Sequence, residues 1–244
     1  MRCQPYRENA VYIWTKNKQQ CLICNEQTDT SEPLCSACEA ELPWLGGQCG
    51  VCAVPLPSVG LTCGACLRRP PAFTRVEAAW RYAFPVDSLI TRFKHQQQWP
   101  MGRLLGALLS HHLQHAFAEG LPRPDLLLPV PLGRRRLRQR GFNQAGMLAG
   151  WLGKSLQLPV QEHWLQRPHE GAHQQELDAA ARKRNLRRAF ALHPQARVAG
   201  RHVALVDDVL TTGATAETLA RLLLKAGAAR VDVYCLARTP KPGD

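Results

Sequence analysis

At 244 residues with 45% hydrophobic content, the chain can bury one α/β core with a small accessory module, but it is too short for two full domains. Lys plus Arg number 31 against 19 acids, a formal net charge of +12 at pH 7, which favours polyanionic partners such as nucleotides or nucleic acid without specifying one. No apolar run approaches the ~18 residues of a membrane span, and the start MRCQPYRENAVYIWTKNK lacks the apolar stretch of a signal peptide, so a cytoplasmic location without membrane insertion is expected.

Residues 1–20 carry no pattern and read as an N-terminal tail. Eight of the ten cysteines then form four C-x-x-C pairs, Cys21/Cys24, Cys35/Cys38, Cys49/Cys52 and Cys63/Cys66, whose first members recur every 14 residues. In a reducing compartment such thiols are metal ligands before they are disulfides. Each C-x-x-C turn aims two thiolates at one point, and two turns supply the closed tetrahedral sulfur shell that Zn2+ prefers. Two structural Zn2+ sites are therefore expected over 21–70. The simplest pairing is sequential, Cys21, Cys24, Cys35 and Cys38 for one ion and Cys49, Cys52, Cys63 and Cys66 for the other; a cross-braced pairing is the alternative. Four evenly spaced pairs argue against a lone redox motif or an iron–sulfur cluster. Segments so poor in large apolar residues should fold only with their metal. Cys3 and Cys235 have no such mate and read as a terminal thiol and a buried strand thiol.

RRPPAF, Arg68 to Phe73, is a stiff boundary, since each proline fixes φ and removes a donor. The second domain is expected over 74–244. RVEAAWRYAF alternates as an edge strand would, and VDSLITRFKHQ and GRLLGALLSHHLQHAF space their leucines as helices do. Lys94, in the first of these helices, is either a solvated side chain or one that reaches a pocket. His111 and His115 in the second have metal-compatible spacing but no third ligand, and a solvent-facing helix is the expectation. PDLLLPVPL reads as a short buried strand ending at a loop, GRRRLRQRG as a basic loop, and FNQAGMLAGWLGKSL as a helix. A weaker strand near Leu158 to Leu165 precedes a polar segment, Gln166 to Asp178, and a helix through AAARKRNL.

The last third is clearest. HVALVDD is a strand, TAETLARLLLKAG a helix with Leu219, Leu222 and Leu223 on one face and Gly227 as its stop, and RVDVYCLAR a strand. A right-handed crossover makes the two strands parallel and opens their carboxyl ends into a ligand crevice. Asp207 and Asp208 emerge at that end. The loop Thr211, Thr212, Gly213, Ala214, Thr215 leads into the helix N-terminus, where backbone amides, hydroxyls and the helix dipole form a phosphate cradle. Two carboxylates would repel that phosphate, whereas the hydroxyls of a ribose donate well to them. A sugar phosphate answers both halves of the motif.

In these residues the chain resembles the type I phosphoribosyltransferases. The whole layout is similar to the ComF/GntX family of competence and DNA-utilisation proteins, a double zinc ribbon followed by a phosphoribosyltransferase-like domain. The resemblance spans Cys21 to Thr239 and rests on DDVLTTGAT, on PVPL with RGFNQ, on RKRNLRRAF and on the closing LART. It implies a parallel sheet flanked by helices. It also implies phosphoribosyl pyrophosphate bound with Mg2+, its ribose 5-phosphate on Asp207, Asp208 and Thr211 to Thr215, with Asp207 and Asp208 as the catalytic pair. Arg140, Gly141 and Lys94 are the candidates for the pyrophosphate side. The family's closing loop carries a threonine four residues after an arginine, where this sequence has Gly171 after Arg167. Arg182, Arg184 and Asn185 cannot all face one way on a helix. Two functional readings remain open. One is a pentosyl-transferring enzyme that displaces pyrophosphate at C1 of the ribose. The other is a non-catalytic protein that handles single-stranded DNA, with DNA-uptake proteins as partners, and uses the fold as a ligand-responsive platform.

Overall fold

A computed structural model describes residues 19–58, 60–168 and 189–240. The helix expected through Arg182, Arg184 and Asn185, the segment around Gly171, and Cys3 lie outside the described residues. In chain order the elements are α1 (Ser36–Ala40), α2 (Gly64–Arg68), β1 (Arg75–Arg81), α3 (Val86–Gln96), α4 (Trp99–Ala118), β2 (Leu126–Pro129), α5 (Arg134–Arg140), α6 (Gln144–Leu156), β3 (Leu165–Gln166), β4 (Ala191–Leu192), β5 (His202–Leu210), α7 (Ala214–Lys225) and β6 (Arg230–Arg238).

The chain forms two compact units, 1–41 and 42–244. In the smaller, Cys21 and Leu34 are buried but α1 contributes no buried residue, so little apolar surface holds it together. Asp29 ties the unit locally, accepting from the Ser36 amide (2.9 Å) and hydroxyl (2.5 Å), while the Thr28 amide donates to Gln19 (2.8 Å).

The larger unit is built on a parallel sheet in the order β1-β6-β5-β2. β5 and β6 are Val-rich and buried along most of their length, as strands covered on both faces must be. α7 joins them, packing Leu219 and Leu223 inward, and Gly227 at φ +92° ends the turn after it. β1 departs from the alternating pattern read from its sequence: its five central residues are all buried. Residues 43–51 cover its outer edge, where the Leu45 amide donates to Ala79 (3.0 Å), Arg81 to Pro43 (2.9 Å) and Val76 to Val51 (2.9 Å). The second C-x-x-C ribbon thus lies within this unit, and Ala53 and Phe73 share one apolar core with Val76, Val203, Leu205 and Val233.

Two other segments differ from the sequence reading. GRRRLRQRG folds as the short helix α5 because arginine and leucine are good helix formers, and Gly141 closes it at φ +80°. Leu158 to Leu165 makes no regular strand. Pro159 has no amide to continue a ladder, and only Val160 bridges Leu127 in parallel before β3 turns to pair with β4. Among the described residues no helix is long and apolar enough to cross a membrane.

Candidate ligand cradle and cysteine tetrads

The cysteines gather as the sequential pairing requires. Cys21, Cys24, Cys35 and Cys38 form one tetrad and Cys49, Cys52, Cys63 and Cys66 the other, with the four Sγ atoms of each within 4.8 Å of one another. Zn–S bonds of ~2.3 Å set tetrahedral edges of about 3.8 Å. Cys24 to Cys35 and Cys52 to Cys63 are each 3.7 Å apart, so both tetrads fit the ion. Backbone amides point at sulfur: Cys38 N donates to Cys35 Sγ (3.5 Å) and Cys63 N to Cys49 Sγ (3.3 Å). Burial raises the thiols, but for Cys21 and Cys49 surrounding amides outweigh it and bring them to about 6 and about 7. Burial, then neighbouring thiols, push Cys38 and Cys66 up. Deprotonated sulfur is what a zinc shell needs. Among the described residues no other group of three or more His, Cys, Asp or Glu side chains gathers as these tetrads do, and His111 and His115 are exposed on α4.

The acidic pair sits on β5, which runs to Leu210, two residues beyond the strand read from sequence. Successive strand residues point to opposite faces, so Asp207 and Asp208 serve different surroundings. Asp208 meets Lys94 of α3, Oδ2 to Nζ 3.0 Å, and its Oδ1 accepts the Val209 amide (2.6 Å). Asp207 Oδ1 accepts the Asp208 amide (2.9 Å). Burial, and then the Asp208 charge, push the Asp207 carboxyl up to about 7, against the opposing pull of that amide and of Lys94. A strand flanked by apolar neighbours imposes this: Asp207 pairs in register with the buried Cys235.

Past Leu210 the chain turns through Thr211 and Thr212, both exposed, and through Gly213 at φ +76° into α7. That conformation suits glycine, and a β-carbon there would come within 3.9 Å of Phe73. Among the described residues the Ala214 amide reaches only the Thr212 hydroxyl (3.4 Å), and first-turn amides have no acceptor within their own helix. Glu217 in that turn accepts from the Ala72 amide (2.6 Å) and pairs with Arg221.

Asp207, Asp208, Lys94 and the Thr211 to Thr215 loop are therefore assembled at the carboxyl end of β5. Arg140 and Gly141 end α5, and no ion pair joins Arg140 to either aspartate among the described residues. Asn143 braces the loop after β2, donating to the Val130 carbonyl (3.1 Å). A cleft of about 820 Å³ opens beside that loop, bordered by Arg134, Met147, Trp151 and His163, and none of the residues from Asp207 to Thr215 lines it.

Arg238 had no assigned role beyond the LART string. It is buried at the end of β6, where Nε donates to the Cys52 carbonyl (2.9 Å) and Nη1 to the carbonyls of Leu210 (3.0 Å), Thr211 (2.5 Å) and Thr239 (2.7 Å). A charged residue closing the apolar run VDVYCLA was the available signal.

Two family models match: a phosphoribosyl transferase domain over residues 140–243 and a double zinc ribbon domain over 18–67. The DNA utilization protein YhgH of Escherichia coli (strain K12) is 38% identical over 225 residues, covering 90% of each chain. Competence protein F of Haemophilus influenzae is 34% identical over 220 residues, covering 89% of this chain and 90% of its own. Competence protein ComFC of Bacillus subtilis is 32% identical over 115 residues, 47% of this chain and 45% of its own. With both modules in the same order and near full-length relatives above 30% identity, the chain belongs to the ComF family of double-zinc-ribbon proteins with a phosphoribosyltransferase fold.

Proposed function

We propose that the protein binds phosphoribosyl pyrophosphate with Mg2+ at the carboxyl end of β5 and serves DNA uptake or utilisation. The observation that carries this reading is the union, within nine residues, of a carboxylate pair and a glycine-turned threonine loop feeding α7. The amides and hydroxyls of Thr211, Thr212, Gly213, Ala214 and Thr215 would hold the 5-phosphate, and Asp207 and Asp208 would accept from the ribose hydroxyls. Lys94, already 3.0 Å from Asp208, stands on the pyrophosphate side, with Arg140 and Gly141 as further candidates there. When bound, Mg2+ neutralises charge on the pyrophosphate oxygens. In catalysis Asp207 and Asp208 would steady the ribose while its C1–O bond to pyrophosphate breaks and an acceptor adds at C1, Lys94 taking up leaving-group charge.

Calorimetry of the zinc-loaded protein with phosphoribosyl pyrophosphate and Mg2+, with pyrophosphate release assayed in the same samples, tests this. Asp208→Asn should weaken binding about tenfold or more, the loss of a charge-assisted hydrogen bond. Equal binding by wild type and variant sinks the site assignment. Release requiring an added acceptor establishes an enzyme; binding without release leaves a ligand-responsive protein.

A second component, handling of single-stranded DNA beside DNA-uptake proteins, is favoured by α5. Its Arg134, Arg135, Arg136 and Arg138 are exposed on one short helix, the net charge is +12, and the Escherichia coli and Haemophilus relatives are named for DNA utilisation and competence. Changing Arg134, Arg136 and Arg138 to Gln should lower the log–log salt slope of oligonucleotide binding by roughly 2, about 0.7 per phosphate contact on a single strand. An unchanged slope removes α5 from any DNA surface.

A further inference from the structure

The second cysteine tetrad and the ligand loop are separated by a single side chain. Cys52 supplies a sulfur to the tetrad, and its carbonyl accepts from Arg238 Nε at 2.9 Å. The same guanidinium, through Nη1, holds the carbonyls of Leu210 at 3.0 Å and Thr211 at 2.5 Å, the last residue of β5 and the first of the loop. Arg238 is only 7% exposed, and no carboxylate lies within ion-pair distance of it among the described residues. A buried guanidinium held by four carbonyls and the Thr239 hydroxyl loses much if one of them moves away, because an unmet donor on a charged group is costly.

Around this link the two structures interlock. Val51, next to Cys52, accepts the Val76 amide (2.9 Å), and Val51 and Cys52 pack against both the tetrad and the core of the sheet. Phe73 lies beside Gly213, and the Ala72 amide donates to Glu217 in the first turn of α7 (2.6 Å). Phe73, Ala72 and, through Arg238, the Cys52 carbonyl thus tie the loop and the first turn of α7 to the 49–73 segment.

We propose that Arg238 is a positioning residue through which metal occupancy of the Cys49, Cys52, Cys63, Cys66 tetrad sets the shape, and hence the affinity, of the Thr211 to Thr215 loop. The proposal rests on the reading of that loop as a phosphate cradle for its consequence on affinity, though the link to loop order stands without it. With the tetrad closed on its ion, the Cys52 carbonyl is fixed and the guanidinium presents Leu210 and Thr211 in one geometry. With the tetrad open, the carbonyl is free to swing and the loop loses its floor. Coupling of this kind is reciprocal, so ligand on the loop should also retain metal in the second tetrad. The first tetrad belongs to the other compact unit and serves as the internal control.

Hydrogen exchange and calorimetry on the full-length, zinc-loaded protein test the idea, with Arg238→Lys as the variant because it keeps the charge but cannot bridge the Cys52 and Leu210 carbonyls together. The variant should hold two zinc ions and leave β6 amides exchanging as in wild type. Its amides from Thr211 to Thr215 should exchange about tenfold faster, and its affinity for phosphoribosyl pyrophosphate with Mg2+ should fall about tenfold, a coupling of ordinary size. In wild type, phosphoribosyl pyrophosphate with Mg2+ should slow transfer of one zinc equivalent to a zinc-selective chromophoric chelator and leave the other unchanged. Loop amides in Arg238→Lys that exchange as in wild type overturn the proposal, as does zinc release indifferent to a ligand that binds. Faster loop exchange in the variant, with no ligand heat in wild type, upholds the link and defeats the phosphoribosyl reading instead. If the variant fails to fold, the wild-type zinc-release measurement decides.

Discussion

Burial first, and then the charge of the adjacent Asp208, hold the proton on Asp207. Its carboxyl near 7 lies above the ordinary value near 3.9, so between about pH 4 and 7 the folded protein keeps a proton that the unfolded chain has released. Its contribution to stability therefore falls as pH rises through that window and is level above it. Asp207→Asn should remove the slope. Relative to wild type, urea unfolding should find the variant more stable at pH 8 than at pH 5 by on the order of 1–3 kcal/mol, zinc-linked protons cancelling in the comparison. A difference independent of pH would mean that Asp207 titrates as an ordinary exposed acid. The adjacency of the two aspartates is plain in the sequence, but the proton affinity is not, because it depends on which face of β5 is covered and on Lys94, more than a hundred residues earlier in the chain.

Lys94 reaches Asp208 because α3 lies close on α4, and glycine permits it. A β-carbon at Gly102 would stand 2.5 Å from the Phe93 ring, which is fully buried and packs at 5.6 Å from Phe142 and 5.8 Å from Trp151. Gly102→Ala should overpack this contact, costing about 1–3 kcal/mol and lowering the thermal midpoint by several degrees, ~2–4 °C per kcal/mol at this size. An unchanged midpoint would show that α3 can shift without loss. The helical spacing of both segments is legible in the sequence; which glycine marks the crossing is not, since Gly106 and Gly102 look alike until the neighbouring ring is known. At α5 the run of arginines reads as a basic loop, and only the structure shows it wound into a helix that Gly141 closes.

Across the whole molecule the two tetrads have the same ligands and different surroundings. The first stands in a unit whose buried apolar residues are few, whereas Val51, Cys52 and Ala53 of the second join the sheet core. A strong zinc chelator should therefore open residues 19–41 to limited proteolysis first, as expected where metal binding and folding are one equilibrium, while peptides from β5 and β6 stay protected. Cleavage sites mapped by mass spectrometry give the answer, and resistance of 19–41 after confirmed zinc loss would mean that its apolar contacts suffice.

Four C-x-x-C pairs, the βαβ unit of β5, α7 and β6, and the candidate cradle between strand and helix are legible in the sequence, because each is local: ligand spacing, hydrophobic period and a glycine turn act over short stretches of chain, whereas which pairs form a tetrad comes from the fold. Only the tertiary structure decided that Lys94 rather than an arginine pairs with Asp208, that β1 is covered on its outer edge, and that Arg238 joins Cys52 to Thr211. Those contacts bridge distant parts of the chain, where the cost of leaving a buried charge unpaired is met by whichever partner the packed sheet brings within reach.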